Sequence, residues 1–114
     1  MNLDGVTLFV SDLEAELRFW RDFLGCASGE TWPAQQVVRA GTVDLLLDGT
    51  REHKDVRGIE LRFRCERAHI EALVAAAPGL GVPVVRPAKD YGGPLGFEAA
   101  LRSPAGCLVV LHAG

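Results

Sequence analysis

The chain has 114 residues, 48% of them hydrophobic, and a formal net charge of −3. A chain of that length and apolar content forms one domain with a buried core. It carries no lysine or arginine run, which argues against a nucleic-acid surface, and no apolar run approaches the ~18 residues of a membrane span.

Cys26, Cys65 and Cys107 are odd in number and widely spaced, without a paired C-x-x-C. That pattern excludes a disulfide framework and a zinc site and fits three reduced thiols. Met1-Asn2-Leu3-Asp4 lacks the basic and apolar regions of a secretory leader, so a cytoplasmic protein is expected.

In chain order, the alternation of residues 5–10 predicts a strand with Val6, Leu8 and Val10 on one face and Thr7 and Phe9 on the other. Ser11 with Glu14 reads as a capping box opening a helix to about Leu24. Leu13, Leu17, Trp20 and Leu24 form its buried stripe, widened by Phe23, and Gly25 ends it. Three short extended segments follow: one broken at Trp32-Pro33, one over 35–40 and one over 43–47, the last two joined by a Gly41-Thr42 turn. The charged stretch 48–56 reads as a connector.

The second half repeats this order. Residues 58–64 alternate, with Ile59, Leu61 and Phe63 on one face and Glu60, Arg62 and Arg64 on the other. A helix over about 66–77 buries Ile70, Leu73, Val74 and Ala77 until Pro78-Gly79 stops it. A strand over 82–86, a loop over 89–96 rich in Gly and Pro, and strands over 97–102 and 107–112 complete the chain. The expected fold is α+β: two βαβββ modules, about 1–50 and 57–114, forming a curved, cupped mixed sheet with helices on its outer face. The domain spans residues 1–114.

The chain resembles the vicinal oxygen chelate superfamily, which includes glyoxalase I, extradiol dioxygenases, fosfomycin-inactivating enzymes and bleomycin-resistance proteins. Val10-Ser11-Asp12-Leu13-Glu14, Phe19-Trp20, Leu24-Gly25, Tyr91-Gly92-Gly93 and Ser103-Pro104-Ala105-Gly106 carry that resemblance. It implies a homodimer. It also implies that a divalent cation, where a member uses one, is held at four strand positions. Here those positions fall on Gly5, Leu46, Gly58 and Val110, whose side chains have no donor atoms. No metal and no cofactor are therefore expected.

Strand parity predicts the lining of the cup: Thr7, Phe9, Asp44, Leu46, Glu60, Arg62, Glu98, Val110 and His112, with Trp32 and Tyr91 at the mouth. Ala100 shares that parity. Glu60 and Arg62 read as polar anchors or as a wetted surface, and Phe9 or Trp32 as a flat wall. His53 reads as solvated and His69 as a helix-boundary residue. No nucleophile–base pair stands out; Ser11 and Ser103 have capping and turn roles. The leading functional expectation is metal-free binding of a small aromatic or amphipathic molecule, with no nucleic-acid or membrane partner. Two alternatives remain: a family enzyme (lyase, isomerase or dioxygenase) using His112, Glu98, Glu60 or Asp44, and a non-catalytic interaction module.

Overall fold

The computed structural model describes residue 1 and residues 3–50 and 57–113. His53 and most of the charged connector lie outside the described residues. The chain divides into two compact units, Met1–Val56 and Arg57–Gly114.

The first unit holds β1 (Gly5–Phe9), α1 (Leu13–Leu17), β2 (Ala27–Trp32), β3 (Gln35–Ala40) and β4 (Val43–Asp48). Its four-stranded sheet has the order β1-β4-β3-β2, with β1 parallel to β4 and the other neighbours antiparallel. The second unit repeats the plan with β5 (Glu60–Arg64), α2 (Arg67–Ala76), β6 (Val84–Asp90), β7 (Phe97–Arg102) and β8 (Leu108–Ala113). Its order is β5-β8-β7-β6, again with only the first pair parallel. The fold is α+β, two βαβββ modules, each with its own mixed sheet. Among the described residues no helix is long and apolar enough to cross a membrane.

The alternation of each strand separates a core face from a polar face. In the first unit Leu8, Val10, Val38, Leu45 and Leu47 are buried together with Leu17, Phe19 and Trp20. In the second, α2 packs on β6, β7 and β8 and contributes Ile70, Leu73 and Ala77 to a core with Leu101, Val109 and Leu111. Arg67 of α2 lies 4.2 Å over the Phe97 ring, which puts the helix on the face of Phe97, Ala99 and Leu101.

Several local expectations need correction. Asp12, not Ser11, caps α1: its Oδ1 accepts from the Ala15 amide at 3.1 Å. The α-helix stops at Leu17, and Arg18–Phe23 widens into a π-helical turn before Gly25 at φ +79°. That turn keeps Phe19 and Trp20 buried, while Leu13, Phe23 and Leu24 are only half-buried. Asp48 is not connector but the buried end of β4, accepting from the Thr50 amide at 2.9 Å and its hydroxyl at 2.6 Å. Pro78-Gly79 does not end the second helical run, which continues as a 3-10 turn to Leu80 and stops at Gly81 with φ +70°. Val74 is half-buried, and β5 and β8 start at Glu60 and Leu108, later than expected. Finally, β6 runs on through Lys89 and Asp90, which the sequence pattern assigns to a loop.

Candidate functional site

Residues paired directly across a sheet point to the same face, so the register assigns each strand-borne candidate. In the first unit Thr7 pairs with Leu46, which pairs with Val37; Phe9 pairs with Asp48, which pairs with Gln35, and Gln35 with Trp32. Thr7, Phe9, Asp44, Leu46 and Trp32 therefore share the polar face of this unit. Trp32 reaches that face only because β2 carries an extra residue between Ser28 and Thr31. Plain alternation from Ser28, which pairs with the buried Val38, turns Trp32 toward the core; the bulge reverses it. The Gln36 side-chain amide holds the bulge by donating to the carbonyls of Gly29 and Glu30, at 3.0 and 3.2 Å. Trp32 remains 47% exposed. Asp44 is engaged with Arg39, whose Nη1 lies 2.8 Å from its Oδ1.

In the second unit Glu60, Arg62 and Arg64 pair with Leu108, Val110 and His112, and His112 pairs with Glu98. The candidates of this unit's strands again share one face. Their environments differ sharply. Glu98 is fully buried, whereas sequence reasoning treats a strand carboxylate as a solvated group. Val110 is also fully buried, so it offers no open surface here. His112 is half-buried.

Two guanidiniums hold Glu98. Arg62 Nη2 donates to Oε2 at 3.1 Å, and Arg86 Nη2 stands 2.8 Å from Oε1. The second contact is an ion pair without hydrogen-bond alignment, and Glu98 Oε1 and the enclosed Arg86 Nε lack a hydrogen-bond partner among the described residues. Arg62 Nη1 also reaches Glu60 Oε2 at 3.3 Å. The hydrogen bond that Arg62 donates to Glu98 raises the Arg62 pKa above its ordinary value, so that guanidinium stays charged.

Arg86 is the residue that sequence reasoning missed. Val84 pairs with the buried Leu101 on the helix-covered face, and strict alternation sends Arg86 there too. Instead β6 bulges twice. The first extra residue lies between Val84 and Arg86 and brings Arg86 opposite Ala100; the second lies before Lys89 and brings it opposite Glu98. Both cations thus join the polar face. Pro87 inside β6 is the sequence signal, because proline within a strand marks an edge or a bulge. Tyr91 follows, its hydroxyl donating to the Pro87 carbonyl at 2.7 Å and its ring under Lys89 Nζ at 4.9 Å. Tyr91 is thereby tied to the Arg86 end of the face.

The positions implied for a metal do not fit one. Gly5, Leu46, Gly58 and Val110 supply no donor atom, and a Cβ at Gly5 would stand 2.7 Å from the Asp44 carbonyl oxygen. No group of three or more His, Cys, Asp or Glu side chains is arranged for a cation among the described residues. Nucleophiles are also poorly placed: burial pushes the Cys26 and Cys65 thiols up in pKa, and Ser103 Oγ accepts from the Cys107 amide at 3.2 Å. Arginines cannot exchange protons near neutrality, so the cluster is suited to binding and orienting.

A comparison with curated proteins finds no match. Solved structures match over the whole chain at low identity. The hypothetical protein SA1046 from S. aureus has a TM-score of 0.81 at 14% identity, over 100% of this chain and 94% of its own. The fosfomycin resistance protein FosX from Listeria monocytogenes, solved with Mn(II) and sulfate, has a TM-score of 0.82 at 16% identity, over 99% and 90%. Lactoylglutathione lyase from Agrobacterium tumefaciens has a TM-score of 0.75 at 23% identity, over 99% and 93%. These likenesses establish the fold. Residues 5–111 match the family described as Glyoxalase-like domain, and the chain belongs to that family.

Proposed function

We propose that this protein binds a small organic molecule on its polar sheet surface without using a divalent cation, as a homodimer in the cytoplasm. The observation that carries the reading is an exchange of chemistry. Where the resemblance implies metal ligands, the chain has Gly5, Leu46, Gly58 and Val110, and beside Val110 it has a buried carboxylate clasped by two arginines. Fixed charged groups of the second unit orient a ligand on that unit's face. Stoichiometric sequestration of the kind found among bleomycin-resistance-type proteins needs tight binding; a nanomolar Kd corresponds to about −12 kcal/mol.

The test uses chelator-treated protein titrated calorimetrically with a panel of aromatic and amphipathic compounds. Binding should persist without metal. Binding that appears only after Zn²⁺ or Mn²⁺ is added back would contradict the reading.

A further inference from the structure

The polar face of the second unit has a charge pattern of its own. Two of its register rows tell the story. One reads Arg86, Ala100, Val110, Arg62 from β6 to β5; the next reads Lys89, Glu98, His112, Arg64. Arginines thus stand at opposite ends of one row, with a small alanine and a valine between them. Both reach inward to the single carboxylate of the adjoining row, one on each oxygen. Glu98 is fully buried, yet the side chains of Arg62 and Arg86 remain 39% and 36% exposed.

This is an unequal arrangement. One enclosed carboxylate fixes the inner edges of two guanidiniums, and each guanidinium carries five N–H donors in a planar fork. Arg62 Nη1 also reaches Glu60 and Arg86 Nε is enclosed, so the exposed remainder of each fork is what a ligand can meet. Arg64 and Lys89 add two exposed cations in the row of Glu98, while Glu60 is the other carboxylate on this face and already meets Arg62. Arg102 shares the face through its pairing with Leu108, so five cations face two carboxylates there, on a chain whose overall charge is −3. A locally positive surface on an acidic protein selects its ligand by charge. The two bulges of β6 strengthen the point, because plain alternation from Val84 would turn Arg86 to the helix-covered face, and only the second bulge keeps Lys89 on the same face as the redirected Arg86.

From this arrangement we infer that the ligand is an organic oxyanion, a carboxylate foremost, docked on the paired Arg62 and Arg86 guanidiniums that Glu98 pre-positions. The inference rests on the metal-free binding reading above and narrows its ligand class. Holding the arginines in place before binding removes much of the ordering cost that two long side chains would otherwise impose. Arg62 and Arg86 are the contact residues, Glu98 is a positioning residue, and Arg64 and Lys89 supply longer-range attraction.

Calorimetry with 2-naphthoate and its uncharged isostere 2-naphthamide tests this. Naphthoate should bind at least about tenfold more tightly, and added salt should narrow the gap. Arg86→Gln should abolish most of that preference. Because Arg86→Gln strips a partner from a buried carboxylate and could unfold the unit, the double variant R64Q/K89Q serves as a second arm. Those residues are exposed, and naphthoate affinity should fall several-fold while naphthamide affinity and the melting curve stay unchanged. Equal affinity for both probes, unmoved in R64Q/K89Q, would overturn the oxyanion assignment and leave metal-free binding standing. Failure of both probes and of every panel compound would overturn both.

Discussion

Glu98→Ala should lower the stability of the protein by about 3 kcal/mol, read as a shift of the urea midpoint. Removing one member of an enclosed ion pair typically costs about 3–5 kcal/mol, because the partner charges are left uncompensated. Two features place this case toward the low end. Arg62 and Arg86 keep more than a third of their side-chain surface in solvent, so both can turn outward once released. The carboxylate, by contrast, has no solvent contact in the folded state. Its deletion also leaves a void beside Ala99, Ala100 and Val110, which are themselves buried. A midpoint shift equivalent to less than about 1 kcal/mol would mean that the ion pairs are surface pairs of little consequence.

Trp20→Ala should be at least as damaging, at about 3–5 kcal/mol, by a different mechanism and in the other unit. Trp20 is fully buried and meets Phe19 edge to face at a centroid distance of 5.2 Å. Its indole N–H donates to Glu16 Oε2 at 2.9 Å, one turn earlier. Glu16 is 1% exposed, so the substitution both empties a large volume and removes a donor from a buried acid. Trp20→Phe separates the two contributions, since it keeps most of the ring and loses the N–H. A Trp20→Phe variant as stable as the parent would show that packing alone matters here.

Much of the architecture was legible because strand alternation and helix periodicity are short-range signals that the tertiary fold respects. The repeated strand–helix order and the faces of Thr7, Phe9, Asp44, Leu46, Glu60, Arg62, Glu98 and His112 follow from counting by twos. Counting fails where the backbone gains a residue. Arg86 and Lys89 are separated by an odd number, so no regular strand puts both on one face; two bulges do. The Pro87 between them marks the irregularity without stating which way the chain turns.

Burial was the other illegible quantity. Glu16, Asp48 and Glu98 look alike in the sequence to any exposed acid, and each is enclosed in the fold. Their partners explain why. Trp20 is four residues from Glu16, and Thr50 two from Asp48, but Arg62 lies far from Glu98 along the chain. A local pair can be guessed from spacing. A carboxylate matched by two arginines from the opposite outer strands of a sheet becomes visible only once the register is known.

The most direct test of the account is the metal content of the purified protein. The chain would be incubated with excess Zn²⁺, Mn²⁺, Fe²⁺ and Ni²⁺, passed through a desalting column and analysed by mass spectrometry of the elements. Side chains without lone pairs at the four family positions predict far less than one retained ion per chain. About one firmly held transition metal per chain would contradict it.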